Sequence, residues 1–222
     1  MRFAQLYAHR DYYPLPRKPR MPLGLSALSL GHITPEQLHA ALQYQQEHGG
    51  RIGEILVALG FENQAQVTAA LSAQWGYPVL SLHGRELALD PMQRIPMRLV
   101  EIYSMLPVHF VARTNKLVVG FAQMVEHRIL ATIETMLRCT VIPCFLTPDD
   151  FESHYRALQT ATAVMDDEVV FEQRATLQEI ARTTRSYAWQ IGANSARFGM
   201  CSEYLWSRLE GPRVSLDILS KI

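Results

Sequence analysis

Residues 22–74 hold one 24-residue pattern written twice. The first copy, Pro22 to Gln45, reads PLGLSALSLGHITPEQLHAALQYQ. The second, Arg51 to Gln74, reads RIGEILVALGFENQAQVTAALSAQ. Gly24 and Gly53, Gly31 and Gly60, Gln37 and Gln66, Leu42 and Leu71, and Gln45 and Gln74 fall at equal places in the two copies. A tandem repeat constrains architecture strongly, because one supersecondary unit must pack against its own copy. Two similar half-sites also suit a ligand with two similar halves.

Each copy predicts a short helix, a tight turn and a longer helix. In the first, Leu23 to Leu30 is apolar, and Gly31 stands where a left-handed residue ends a helix. Thr34 is then an N-cap, Pro35 takes the first helical position, and Gln37 completes a capping box. Leu38, Ala41, Leu42 and Gln45 recur at helical spacing, and Gly49-Gly50 stops the run. The second copy repeats this grammar: Gly60 ends the short helix, Asn63 caps the long one, and Gln66 stands at the reach-back position. Leu38, Leu42, Val67 and Leu71 are expected in the core. The two units should close into a small helical bundle.

After Val79 the hydrophobic period changes. Val79 to Leu82, Val108 to Ala112, Leu117 to Phe121 and Thr140 to Leu146 predict strands. The segment from Asp90-Pro91 to Tyr103, His127 to Leu137, and the segment opened by Thr147-Pro148 predict helices. From residue 160 onward, Asp166 to Ala193 predicts one long helix and Cys201 to Leu209 a short one. The organisation expected is an α+β chain: an arm or linker over 1–21, a tandem helical-hairpin bundle over 22–78, a small mixed α/β domain over 79–159 and a helical C-terminal extension over 160–222.

Composition narrows the function. Lys and Arg number 21, as do Asp and Glu, so a bulk electrostatic grip on a nucleic acid polymer or an anionic membrane is not expected. The basic cluster Arg17-Lys18-Pro19-Arg20 reads as a solvated linker. Three cysteines, Cys139, Cys144 and Cys201, fit buried small hydrophobes in a reducing compartment better than a disulfide framework. No apolar run reaches the roughly 18 residues of a membrane span, and the N-terminus lacks a signal-peptide core. A cytoplasmic location is expected, with an inner-membrane tether through a parent chain or partner left open. No GxxxxGKS/T loop, nucleophile–base motif or metal-ligand cluster appears, so no enzyme, metal or cofactor is expected. His32, His39 and His48 are expected at helical surface positions.

Within the repeat, Gly31 and Gly60 are explained as helix ends. Gly24 and Gly53 stand at helix starts, where a missing side chain lets a ligand approach backbone N–H groups. Arg51 suits a phosphate or the Hoogsteen edge of guanine, or an ordinary exposed position. Gln45 and Gln74 can offer amides to a base edge or sit as ordinary surface glutamines.

The pattern RLGxxLxxxGxLxxxxLxxxLxxQ, twice with the five-residue spacer Gln46 to Gly50, resembles the MshEN domain. That is the N-terminal module of type II secretion and pilus ATPases that binds cyclic di-GMP. The likeness extends over about 22–158. It implies ligand contacts at Leu23, Gly24, Leu28, Gly31, Leu38, Leu42 and Gln45 in the first copy, and at Arg51, Ile52, Gly53, Val57, Gly60, Val67, Leu71 and Gln74 in the second. It further implies a regulatory module that controls a protein partner or a covalently attached effector domain of a secretion, pilus or exopolysaccharide machine. Similar modules also occur in membrane glycosyltransferases of the phage-adsorption type. The first copy departs from the pattern at Pro22, which replaces the opening arginine, and at Ser26 and Ala27. The second departs at Glu62, where an apolar residue is usual. A chain of this fold that has lost binding and only docks a partner protein is the alternative.

Overall fold

A computed structural model describes residues 21–88, 91, 94–162 and 168–222. The N-terminal arm, the basic cluster with Arg20, Asp90 and Asp166 lie outside the described residues.

Both repeat units form two helices each: α1 (Leu23–Ser29) and α2 (Pro35–His48), then α3 (Ile52–Ala58) and α4 (Gln64–Trp75). The predicted caps are present. Thr34 accepts from the Gln37 N–H at 3.3 Å while the Gln37 side chain accepts from the Thr34 N–H at 2.9 Å. Asn63 and Gln66 repeat the exchange, both at 2.9 Å. Gly31 (φ 71°) and Gly60 (φ 70°) adopt the left-handed turn that ends each short helix. The units interlock: α1 packs chiefly on α4 and α2 on α3, so each copy covers the other's apolar face. Ala27, Ile33, Ala41, Ile55, Leu56 and Ala70 form the buried centre.

The α/β part opens with α5 (Met97–Ile102), begun by Pro96, and continues with β1 (Met105–Val111), β2 (Lys116–Phe121), α6 (His127–Leu137), β3 (Thr140–Phe145) and α7 (Pro148–Thr162). β1 and β2 pair antiparallel and β3 joins β2 in parallel, with α6 as the crossover. The expected strand at Val79 to Leu82 reduces to a single bridge, Val79 to Phe145. Trp75 and Leu71 carry the end of α4 into the main core, and the Tyr77 hydroxyl meets His127 Nε2 at 3.1 Å. That joint fixes the second repeat unit on the α/β part. Cys139, Cys144 and Cys201 are buried and free. Burial pushes the Cys144 and Cys201 thiols up to about 12.

Residues 168–222 correct the expectation of a helical extension. They form β4 (Glu168–Phe171), α8 (Leu177–Ile191), β5 (Ser195–Cys201), β6 (Tyr204–Glu210) and β7 (Ser215–Lys221), in a sheet of order β4-β7-β6-β5. The long helix starts only at Leu177, because Thr176 and Glu179 close a capping box there. The stretch Cys201 to Leu209 is the end of one strand, a two-residue turn and most of another. Ser202 takes a positive φ of 53° in that turn, and Tyr204 and Trp206 alternate inward with period two. Asp217 anchors the sheet by accepting from Trp206 Nε1 at 2.7 Å and Arg208 Nε at 2.8 Å. The Glu168 carboxylate accepts from the N–H groups of Met97 and Arg98 at 2.7 and 3.2 Å, so the second sheet caps a helix of the first.

Candidate functional site

The fifteen motif positions gather on the interlocked helices. The two opening glycines have a packing reason that the sequence leaves to a ligand. Gly24 and Gly53 are buried. A Cβ on Gly24 would stand 2.5 Å from Leu38 Cδ1, and one on Gly53 would stand 3.0 Å from Val67 Cγ1 and 3.1 Å from Leu23 Cδ2. Leu38 and Val67 hold equal places in the two copies. The missing side chain therefore lets each short helix lie against the long helix of its own unit.

The remaining pairs differ between copies. Val67 is buried as expected, Leu71 is half-buried against the main core, and Leu42 is 42% exposed. Leu42 is thus no core residue: α4 rests on the α/β part, whereas the corresponding face of α2 stays open. Leu23, Leu28, Leu38 and Ile52 are half-buried around the bundle centre. Val57 is half-buried. Gly31 and Gly60 are exposed, and a Cβ on either would meet no heavy atom within 4 Å.

The polar groups separate further. The Gln45 amide donates to the Gly50 carbonyl at 2.8 Å and so closes the spacer. Gln74, its counterpart, is only 9% exposed, and its amide has no hydrogen-bond partner among the described residues. Neither amide atom is among the buried side-chain atoms left without a partner, so the amide reaches solvent and is open to a ligand. Arg51 is exposed at the start of α3, 3.8 Å from Glu54, and donates to the Gln123 side-chain oxygen. Gln123 follows β2 in the α/β part. Nothing in the sequence signals this contact across 72 residues.

A second contact that the sequence does not signal joins the two turns. His32, expected on the surface, instead places its Nδ1 2.9 Å from Glu62 Oε1. The Glu62 side chain is fully buried, and its other oxygen has no partner. Glu62 stands where the first copy has the buried Ile33. Desolvation raises its carboxyl above the usual carboxylate range, against the opposing pull of His32. The repeat register marks Glu62 itself as a departure, since Ile33 and Glu62 are 29 positions apart, but not its contact with His32. Ser26 and Ala27, the other departures, are fully buried, so small side chains serve the close packing of α1. No group of three or more His, Cys, Asp or Glu among the described residues could hold a metal ion.

No family model matches the chain. It is 24% identical over 129 residues to the type IV pilus assembly ATPase PilB of Thermus thermophilus, and 32% identical over 77 residues to PilB of Myxococcus xanthus. These alignments take in 58% and 35% of this chain but 14% of each relative. The solved structure of MshE with cyclic di-GMP matches 63% of this chain and 99% of its own, with a TM-score of 0.55 and 19% identity. The chain carries an MshEN-type fold. The N-terminal domain of XpsE also matches, over 62% of this chain and 96% of its own, with a TM-score of 0.46 and 12% identity. In this MshEN-type chain the described residues include no helix long and apolar enough to cross a membrane.

Proposed function

We propose that the tandem-repeat bundle is a cyclic di-GMP-binding regulatory module, acting on a pilus or secretion machine through an attached domain or a partner protein. The observation that carries this reading is the Gln74 amide at the closing position of the repeat, which reaches solvent and has no hydrogen-bond partner among the described residues. Arg51 supplies an exposed guanidinium and Leu42 an exposed apolar side chain at motif positions of the same bundle. A guanidinium can take a phosphate or two acceptors on guanine, and an amide can pair with a base edge. The MshE structure with cyclic di-GMP lends the ligand, and the PilB relatives favour an ATPase context over a glycosyltransferase one.

In this reading the half-sites are unequal. The first copy offers Pro22 for the arginine, and its glutamine already serves Gly50. Binding also has a route outward. Arg51 cannot keep its contact with Gln123 and engage a ligand through the same N–H, so occupancy would loosen the bundle from the loop after β2. A ligand shifts a conformational equilibrium only by such differential contacts. The module carries no catalytic role here.

Thermal shift with cyclic di-GMP tests the residues. Arg51→Ala and Gln74→Ala should each lower apparent affinity by about tenfold, the worth of one good polar contact. An unchanged shift in both variants would remove the proposed site from the bundle.

A further inference from the structure

We propose that the groove between α8 and β5 docks an extended, alternately apolar peptide of a partner protein, with a carboxylate that pairs with Arg185. β5 is an edge strand. The two-residue turn at Ser202 and the pairing of Cys201 with Tyr204 set its phase: Arg197, Gly199 and Cys201 face β6, while the backbone groups of Ala196, Phe198 and Met200 point away from the sheet. Met200 fits that phase, because its outward carbonyl accepts from Thr132 Oγ1 at 3.0 Å. α6 lies on the opposite face, where its Thr132 and Met136 fill the space beside Gly199. α6 runs alongside β5, but the backbone groups of Ala196 and Phe198 have no hydrogen-bond partner among the described residues.

Beside that edge lies an apolar groove of about 300 Å³. Leu177, Ala181 and Thr184 of α8 form one wall, and Phe198 and Leu205 form the floor. Phe198 is 53% exposed. Thr184 is 6% exposed, and its buried hydroxyl has no hydrogen-bond partner. Arg185 lines the groove without an ion pair among the described residues.

These features select the occupant. Free N–H and C=O groups along a strand edge are satisfied by another extended backbone, and a helix laid there would leave them open. An added strand sends every second side chain, about 6.8 Å apart, to the α8 side, which calls for apolar residues at alternate positions. Arg185 calls for an acid. A second copy of β5 fits less well. Its run Ser195–Cys201 brings Arg197 and no carboxylate, and Thr132 already occupies its Met200 end.

The test uses the full chain and two fluorescein-labelled heptapeptides, Glu-Thr-Val-Thr-Val-Thr-Glu, which puts its valines and glutamates on one face, and the same peptide with both acids replaced by lysine. Anisotropy should show saturable binding of the acidic peptide and about tenfold weaker binding of the basic one. Arg185→Glu should reverse that preference, with an unchanged far-ultraviolet spectrum. Amide resonances of Ala196 and Phe198 should shift on titration and gain protection from exchange. Equal binding of both peptides, affinity weaker than about 1 mM for each, or shifts confined to the helical bundle would overturn the proposal. So would a concentration-dependent dimer that Phe198→Asp abolishes, since a second copy would then fill the groove.

Discussion

Replacing Glu62 with isoleucine should make the protein more stable. In the folded chain one Glu62 oxygen meets His32 Nδ1 at 2.9 Å and the other is buried without a partner. The unpartnered oxygen costs about 1–3 kcal/mol. An aliphatic side chain in its place would contribute about 1.5–3 kcal/mol of burial, as Ile33 does at the equivalent position, where it is 5% exposed. Against this stands the lost hydrogen bond to His32, about 1.5–3 kcal/mol for a charged acceptor. His32 is partly exposed, so water can replace that bond. The net gain should be about 1–2 kcal/mol near neutral pH, a rise of about 2–6 °C in Tm for a chain of this size. The gain should depend on pH in a fixed direction. The folded state holds the Glu62 proton more tightly than the unfolded chain, because burial raises its carboxyl above the ordinary 4.5. The destabilisation from the charged carboxylate is fully present above the raised value and fades as pH falls toward 4.5. Urea unfolding of wild type, Glu62→Ile and Glu62→Gln at about pH 8 and about pH 5 would show the Glu62→Ile advantage shrinking on acidification, and Glu62→Gln would lack that slope. A Glu62→Ile variant less stable than wild type by more than about 1 kcal/mol at about pH 8 would refute the reasoning.

Thr34→Ala and Asn63→Ala should each cost about 1 kcal/mol and add in the double variant, because the two caps share no partner; urea unfolding measures both. Pro22→Arg should strengthen cyclic di-GMP binding by about tenfold in calorimetry if the missing arginine is what weakens the first half-site. Gly60→Ala should destabilise by about 1–2 kcal/mol in the same unfolding assay, since φ there is 70° and no neighbour limits the space.

The bundle is legible in the sequence because its signals are local and doubled. A capping box needs only Thr34 and Gln37, or Asn63 and Gln66, and a second copy at a fixed offset repeats the statement. Gly31 and Gly60 end their helices for the same local reason. Gly24 and Gly53 read in the sequence as openings for a ligand, whereas Leu38 and Val67 fill the space beside them. That contact is between helices and leaves no mark beyond the glycine itself. The C-terminal sheet is hidden by ambiguous periodicity. In Tyr204–Glu210 the run YLWSRLE fits a helix or a strand, and its turn at Ser202-Glu203 lacks the glycine that usually announces a hairpin. Pairing with β5 and β7, set by distant segments, decides for the strand. The contacts of Arg51 with Gln123 and of His32 with Glu62 join residues far apart in sequence, so only the fold reveals them.

The most direct measurement is calorimetric titration of the full chain with cyclic di-GMP, with linear GMP as a control. The account predicts saturable heat with cyclic di-GMP, little with GMP, and a loss of affinity in Arg51→Ala. No heat with cyclic di-GMP at high ligand concentration, from protein that melts cooperatively, would contradict it and leave the bundle as a docking module alone.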